Sequence, residues 1–240
     1  MRQIIKESST LRRLYYRLQL RRATGQSNES KIIEHLAANG PRTFIEFGFL
    51  PVQFNCIRLA RSDDWSGLLV DGDKRQVADA RHLFPERIDV IQRFLTLDNI
   101  DFIKHHFQEV GVLSIDVDGN DYWFLKELLD IRPGIICVEY NSSFGIEPVT
   151  IPYDPSFDRH KAHPRGWYHG ASLTALAKLC SSFGYGLAAV SENGANAFFS
   201  ADGSLDPETA WRPNSFRMQM SGIYHDGQWT AVSHLPLVSV

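Results

Sequence analysis

The feature that most constrains this chain is an alternation of short apolar runs with stretches of helical periodicity. The apolar runs are Thr43 to Gly48, Gly67 to Asp71, Ile88 to Phe94, Val110 to Asp116 and Gly134 to Tyr140; the helical stretches fall at about 52–61, 74–83, 98–107 and 120–130. Such runs suit strands buried on both faces, and successive strand–helix–strand units close by right-handed crossovers into a parallel sheet. A further helix is expected at 171–183, with Leu173, Leu176, Cys180 and Phe183 on one face and Gly184 as its cap. Two last strands, Tyr185 to Ser191 and Ala195 to Ser200, are joined by Glu192-Asn193-Gly194, whose Asn-Gly pair is a strong hairpin signal. The expected fold is α/β: a Rossmann-like three-layer sandwich with a mostly parallel seven-stranded sheet ending in an antiparallel hairpin.

The ends differ from this middle. Residues 1–40 read as a basic helical segment, 41–200 as the Rossmann-like domain and 201–240 as a wrapping or dimer-forming tail, with Gln228 to His234 strand-like. The first 22 residues carry seven basic side chains against Glu7, a net +6, which leaves 18 basic against 27 acidic residues, a net −9, for the remainder. An acidic body argues against an extensive nucleic-acid-binding surface. Leu11, Leu14, Tyr15 and Leu18 recur at three- and four-residue steps, so the basic stretch is expected to be an amphipathic helix with a solvated charged side. Such a helix suits either a packed arm or peripheral contact with a membrane surface. No apolar run approaches the ~20 residues of a membrane span, and no secretory signal pattern opens the chain; a cytoplasmic location is expected. Cys56, Cys137 and Cys180 are too scattered for a zinc site or disulfide framework, and are expected to be reduced and buried.

In an open parallel sheet, ligands bind beyond the carboxyl ends of the strands. Those ends read Glu46-Phe47-Gly48-Phe49, Asp71-Gly72-Asp73, Asp116-Val117-Asp118-Gly119-Asn120-Asp121 and Glu139-Tyr140-Asn141. A carboxylate closing the second strand can accept hydrogen bonds from both ribose hydroxyls of an adenosine cofactor, which makes Asp71 the candidate, with Asp73 beside it. The alternative for this turn is ordinary helix capping. Glu46 and Gly48 would line the first turn and Phe49 would lie near the ligand. That turn holds only Gly48 before Phe49-Leu50-Pro51, whereas a dinucleotide or P-loop site needs several glycines to seat phosphates. S-adenosylmethionine, which has no phosphate, tolerates a less glycine-rich turn.

The succession Glu-Phe-Gly, Gly-Leu-Leu-Val-Asp-Gly-Asp, Leu-Ser-Ile-Asp-Val-Asp-Gly-Asn-Asp-Tyr-Trp and Val-Glu-Tyr-Asn, spread over roughly residues 40 to 200, resembles the FkbM-type class of methyltransferases. The resemblance extends to their relatives in bacterial glycan and secondary-metabolite pathways. It implies class I S-adenosylmethionine chemistry on a seven-stranded sheet, with cofactor contacts at Glu46, Gly48 and Asp71 and a floor near the reacting methyl at Asp116 and Asp118. A sugar or glycan hydroxyl as acceptor is implied chiefly by the resemblance. The chain departs from the usual methyltransferase turn in lacking its second glycine.

Methyl transfer to oxygen needs the acceptor held in line and a base for its proton. Asp116, Asp118 and His169 are the expected catalytic residues. Asn120, Asp121, Glu139, Asn141, His160 and His163 are expected around the acceptor, the histidines being supplied by the aperiodic and lid-like segment Asn141 to Tyr168 or the helix start after it. Asp116, Asp118 and Glu139 could instead gather around Mg²⁺, because neighbouring strand ends lie ~4.8 Å apart. Two other functions compete. Asp116-Val117-Asp118 is compatible with the metal motif of a nucleotide-sugar glycosyltransferase, and Phe49, Leu50 and Pro51 could fill the pocket of a non-catalytic binding module.

Overall fold

The computed structural model describes residues 8–240. Arg2 and Lys6 of the basic stretch lie outside the described residues. The strands are β1 (Thr43–Phe47), β2 (Ser66–Asp71), β3 (Ile88–Gln92), β4 (Val112–Ile115), β5 (Ile135–Glu139), β6 (Val149–Thr150), β7 (Gly186–Val190), β8 (Asn196–Ser200) and β9 (Val238–Ser239). Seven form one sheet in the order β3-β2-β1-β4-β5-β8-β7; the first five are parallel, and the β7–β8 hairpin joins antiparallel through β8. This is the α/β architecture expected from the sequence.

The helices are α1 (Ser9–Leu20), α2 (Glu29–Leu36), α3 (Ile57–Arg61), α4 (Lys74–Leu83), α5 (Asp121–Leu128), α6 (Arg159–Ala162), α7 (Leu173–Ser182), α8 (Pro207–Ala210), α9 (Ser215–Ser221) and α10 (His225–Val232). Successive strand residues point to opposite faces, and each face has its own core. Ile45, Leu68, Leu113 and Ile136 meet Leu125 and Leu128 of α5 and Leu176 of α7. Phe44, Leu69, Val112 and Cys137 meet Ile33 of α2, Ile57 of α3 and Val77 of α4. The three cysteines are buried and free. Among the described residues, no helix is long and apolar enough to cross a membrane.

Several local expectations are corrected. The stretch 98–107 makes only a 3₁₀ turn at Asp101–His105. The helix expected over 52–61 begins at Ile57, because Leu50 to Gln53 close a tight turn. Gln228 to His234 is not a strand: Gln228 to Val232 belong to α10, whose Val232 joins Phe144, Trp167 and Tyr168 in a third apolar cluster. The tail folds back on its own chain, pairing β9 with β6 and accepting the Tyr168 hydroxyl at the Pro236 carbonyl.

The side of α1 that meets the body is not its apolar stripe. Arg12 is buried and both it and Arg13 pair with Asp79 of α4, while Leu11, Leu14, Tyr15 and Leu18 are exposed. Asp79 has a side chain only 2% accessible, so it needs a cationic partner. That requirement outweighs the modest gain from turning four apolar side chains inward.

At the centre of the sheet, Gly48 takes φ +74°, and a Cβ there would lie 1.5 Å from the Asp116 carbonyl oxygen. The glycine is thus required by the approach of the β4 turn to the β1 turn. Gly48→Ala is expected to combine left-handed strain with a backbone clash and to lower stability by about 3 kcal/mol or more. Chemical denaturation checks this; a loss below about 1 kcal/mol would mean that the two turns separate easily.

Candidate active site

A cavity of about 800 Å³ opens over the carboxyl ends of the central strands, with Gly48, Phe49, Asp71, Asp116, Glu139 and Asn196 in its wall. A second, of about 280 Å³, lies against Gly72, Asp73, Phe94 and Phe157. The two share Gly48, Asp71, Asp116 and Asp118. Phe49 lines the larger cavity, but Phe49-Leu50-Pro51 leaves it open, contrary to a filled pocket.

Asp71 ends β2 between the cavities. Its carboxylate accepts the Phe49 N–H at 3.2 Å and the Asp73 N–H at 2.6 Å, and burial raises its pKa. A carboxylate has about four lone-pair sites, so two remain for a ligand. Asp73 caps α4, accepting from the Arg75 and Gln76 amides, and also lines the smaller cavity.

Glu46 does something else. In the period-two pattern of β1 it shares a face with Phe44, pointing away from the cavities toward α3. Its two oxygens accept the Asn55 and Cys56 amides at 2.7 Å each, and burial lifts its pKa to about 7. It anchors the turn that precedes α3 and is not part of either cavity wall.

Asp121 plays the corresponding part after β4. Fully buried, it accepts the Val117 and Gly119 amides at 2.9 Å each, with its pKa pushed up to about 6, mainly by burial. It holds the turn in which Asp118 takes φ +58°, uncommon for a residue with a Cβ. Asn120 lines the smaller cavity and donates to the Asp154 carbonyl, tying the long segment down.

The turn brings Asp116, Asp118 and Glu139 together, with oxygen atoms all within 4.8 Å of one another. Burial, followed by mutual repulsion, raises Asp116 well above the carboxylate range; Glu139 rises to about 8, mainly by burial and with partial relief from Arg159. The three oxygens could serve a hard cation, yet positive charge is already present. Arg159 of α6 pairs with Asp118 and lies 4.0 Å from Glu139.

His169 stands behind this group, 1% exposed. Its Nε2 lies 3.0 Å from Arg159 Nη2 and 2.9 Å from Arg217 Nη2. Both arginines can only donate, so Nε2 accepts and Nδ1 carries the proton. Nδ1 faces Glu139 Oε2 at 3.5 Å. Burial and the two arginines hold His169 neutral, its pKa well below the usual value. The Nε2 lone pair of His169 is engaged by the arginines, and Glu139, not His169, lines the larger cavity.

The other expected acceptor residues divide. Asn141 is fully buried and saturated: its amide donates to the Trp167 and His169 carbonyls, and its oxygen accepts from Ser143 and Arg217. His160 and His163 are absent from both walls; His163 accepts the Arg165 and Trp167 amides and stacks on the Trp167 ring. Sequence reasoning missed Arg159, Arg217 and Asn196. Asn196 sits opposite Glu139 in the β5–β8 register, is 2% exposed, and keeps its Oδ1 without a hydrogen-bond partner. Glu139 Oε2 is likewise without a hydrogen bond, as is the His169 Nδ1 that faces it at 3.5 Å. A buried acceptor such as Asn196 Oδ1 awaits a donor.

No family model and no curated protein matches the chain. Among solved structures, it is similar to a Klebsiella pneumoniae protein that carries the name of an O-methyltransferase. The TM-score is 0.50 and the identity 15%, with 82% of this chain and 93% of that chain covered. It is also similar to the O-methyltransferase from Bacillus cereus in complex with SAH, with TM-score 0.48, 19% identity and 71% and 78% of the two chains covered. At these identities the likeness is one of fold, the Rossmann-like sandwich described above.

The raised carboxyls give a pH signature. A folded-state pKa above the unfolded value means that the native state binds more protons, so stability falls as pH rises through that interval. His169, held neutral, acts in the opposite direction below its ordinary 6.5, which leaves pH 6.5–8.5 to the raised carboxyls, Glu139 at about 8 and Glu46 at about 7 among them. Unfolding free energy is expected to drop by about 1–2 kcal/mol across that window. Glu139→Gln should flatten the decline in urea titrations at fixed pH; an unchanged slope would mean that Glu139 is ionised throughout.

Proposed function

We propose that this chain is an S-adenosylmethionine-dependent O-methyltransferase acting on a sugar- or glycan-type hydroxyl. The observation that carries the reading is Asp71, set between two cavities with lone pairs to spare, beside a larger cavity lined by carboxylates and lacking a phosphate-seating turn. Arg159, Arg165 and Arg217 share the wall with those carboxylates, and it is the carboxylate closing β2, which an Asp-x-Asp metal motif leaves unexplained, that counts against the glycosyltransferase reading. The name carried by the Klebsiella pneumoniae protein of the same fold agrees with this activity, as does the sequence resemblance to FkbM-type methyltransferases.

The residues fit the cofactor by their chemistry. Asp71 would accept the ribose hydroxyls, Phe94 and Phe157 would flank the base in the smaller cavity, and Asp116 and Glu139 would face the positive end. When bound, S-adenosylmethionine supplies an electrophilic methyl group on a sulfonium whose charge disappears on transfer. Glu139 in its ionised form takes the proton of the acceptor hydroxyl at Oε2. Asn196 Oδ1 accepts a hydrogen bond from a second hydroxyl and fixes the orientation of the acceptor. Arg159 keeps Asp118 and Glu139 from repelling each other, the task that Mg²⁺ would perform at the same three oxygens.

Calorimetry with S-adenosylmethionine and S-adenosylhomocysteine tests the reading. Both should bind the folded protein, and Asp71→Ala should weaken each about tenfold or more. Absence of heat at millimolar ligand, or binding of a nucleotide sugar with Mn²⁺ in its place, overturns the proposal. Once an acceptor is in hand, Glu139→Gln should weaken the cofactor less than Asp71→Ala does and lose about 10²–10⁴ in turnover, together with the alkaline rise of the pH–rate profile. A profile unchanged by that substitution would transfer the base role to Asp116.

A further inference from the structure

The inverted α1 is the feature that the proposed activity leaves unused. Leu14 and Leu18 are 56% and 61% exposed, and Leu11 and Tyr15 continue the same stripe. The stripe faces away from the body because the opposite side of the helix is fastened to Asp79 through Arg12 and Arg13. Arg17 and Arg21 follow Leu14 and Leu18 by three positions each, so they run along one flank of the stripe, and Arg22 follows at its end. Arg17, Arg21 and Arg22 are exposed. The helix beneath adds Lys74, Arg75 and Arg81, all exposed, and His82, which lies 3.3 Å from Arg17. A basic edge thus stands on a body whose remaining sequence is strongly acidic.

We propose that α1 docks this protein onto an anionic lipid surface, with Leu11, Leu14, Tyr15 and Leu18 entering the interface and the flanking arginines meeting lipid phosphates. An apolar stripe bordered by arginines is the arrangement that binds the headgroup–acyl boundary. A second copy of the chain is the less fitting occupant. A two-fold contact through the stripe would bring α1 and its basic edge against their own copies, setting arginine beside arginine. Gln26, in the connection after α1, and Gln76, on the helix beneath it, both belong to the wall of the larger cavity. Docking through α1 would therefore hold the mouth of that cavity beside the lipid surface.

The test is co-sedimentation of the full chain with vesicles of phosphatidylcholine alone and of phosphatidylcholine containing about one third phosphatidylglycerol. Binding is expected only to the anionic vesicles, and should be weakened by 0.5 M salt, which screens the arginines. Leu14→Glu with Leu18→Glu, and separately Arg17→Glu with Arg21→Glu, should each reduce partitioning about tenfold or more. All four positions are exposed, so the core is spared, and circular dichroism confirms this. Failure of the wild-type chain to bind anionic vesicles overturns the proposal. So does a stable dimer in sedimentation equilibrium that the leucine substitutions dissolve while vesicle binding is absent. S-adenosylmethionine calorimetry on the same variants should be unchanged, which keeps this result separate from the fate of the enzymatic reading.

Discussion

Three carboxylates at the carboxyl edge of β4 and β5 set the terms for much of this structure. Parallel pairing fixes neighbouring strands ~4.8 Å apart, and the turn held by Asp121 then directs Asp116 and Asp118 toward Glu139. Asp116 and Glu139 are held in a poorly hydrated place, and carboxylates so close are tolerated there only with compensation. It comes from outside the sheet: Arg159 from the segment after β5, and Arg217 from the tail. This gives both peripheral pieces a physical purpose. Arg217 also donates to Asn141 and Ser143, so the ordering of the long segment and the neutrality of His169 depend on a residue supplied from α9.

The same dependence explains what the sequence made legible. Strand positions, the terminal hairpin and the rim carboxylates were readable because each is a local pattern of a few residues. Glu46 was placed at the right strand end but given the wrong partner: period two put it on the α3 face, where the Asn55 and Cys56 amides claim it. Which face a strand-end side chain takes depends on its exact register, and a boundary uncertain by one residue reverses the answer. Arg217 left no local signal, since its partners lie 48 to 76 residues away. Asn196 could have been found by aligning the Asn-Gly hairpin against Glu139, because the hairpin's first partner in the sheet is β5.

The first helix and the last one expose a different limit. Periodicity in α1 correctly identified its apolar stripe but carried no information about which side meets the body; one buried carboxylate, Asp79, decided that. At 228–234 the mixture of polar and apolar residues passed for alternation, whereas Val232 is drawn into a cluster with Phe144, Trp167 and Tyr168. Tertiary burial overrode a weak local pattern in each case.

The electrostatics of the site also bear on how binding and chemistry would be joined under the proposed activity. Burial raises the Glu139 pKa to about 8, and a protonated carboxyl cannot serve as a base. A positive ligand within a few ångströms favours the ionised form and lowers that pKa. A cationic ligand would therefore favour the form of Glu139 that receives a proton. Arg159 alone is insufficient for this, because its charge is divided between Asp118 and Glu139. Under the proposed activity, the crowding of these carboxyls would tie ionisation of Glu139 to the arrival of a cation.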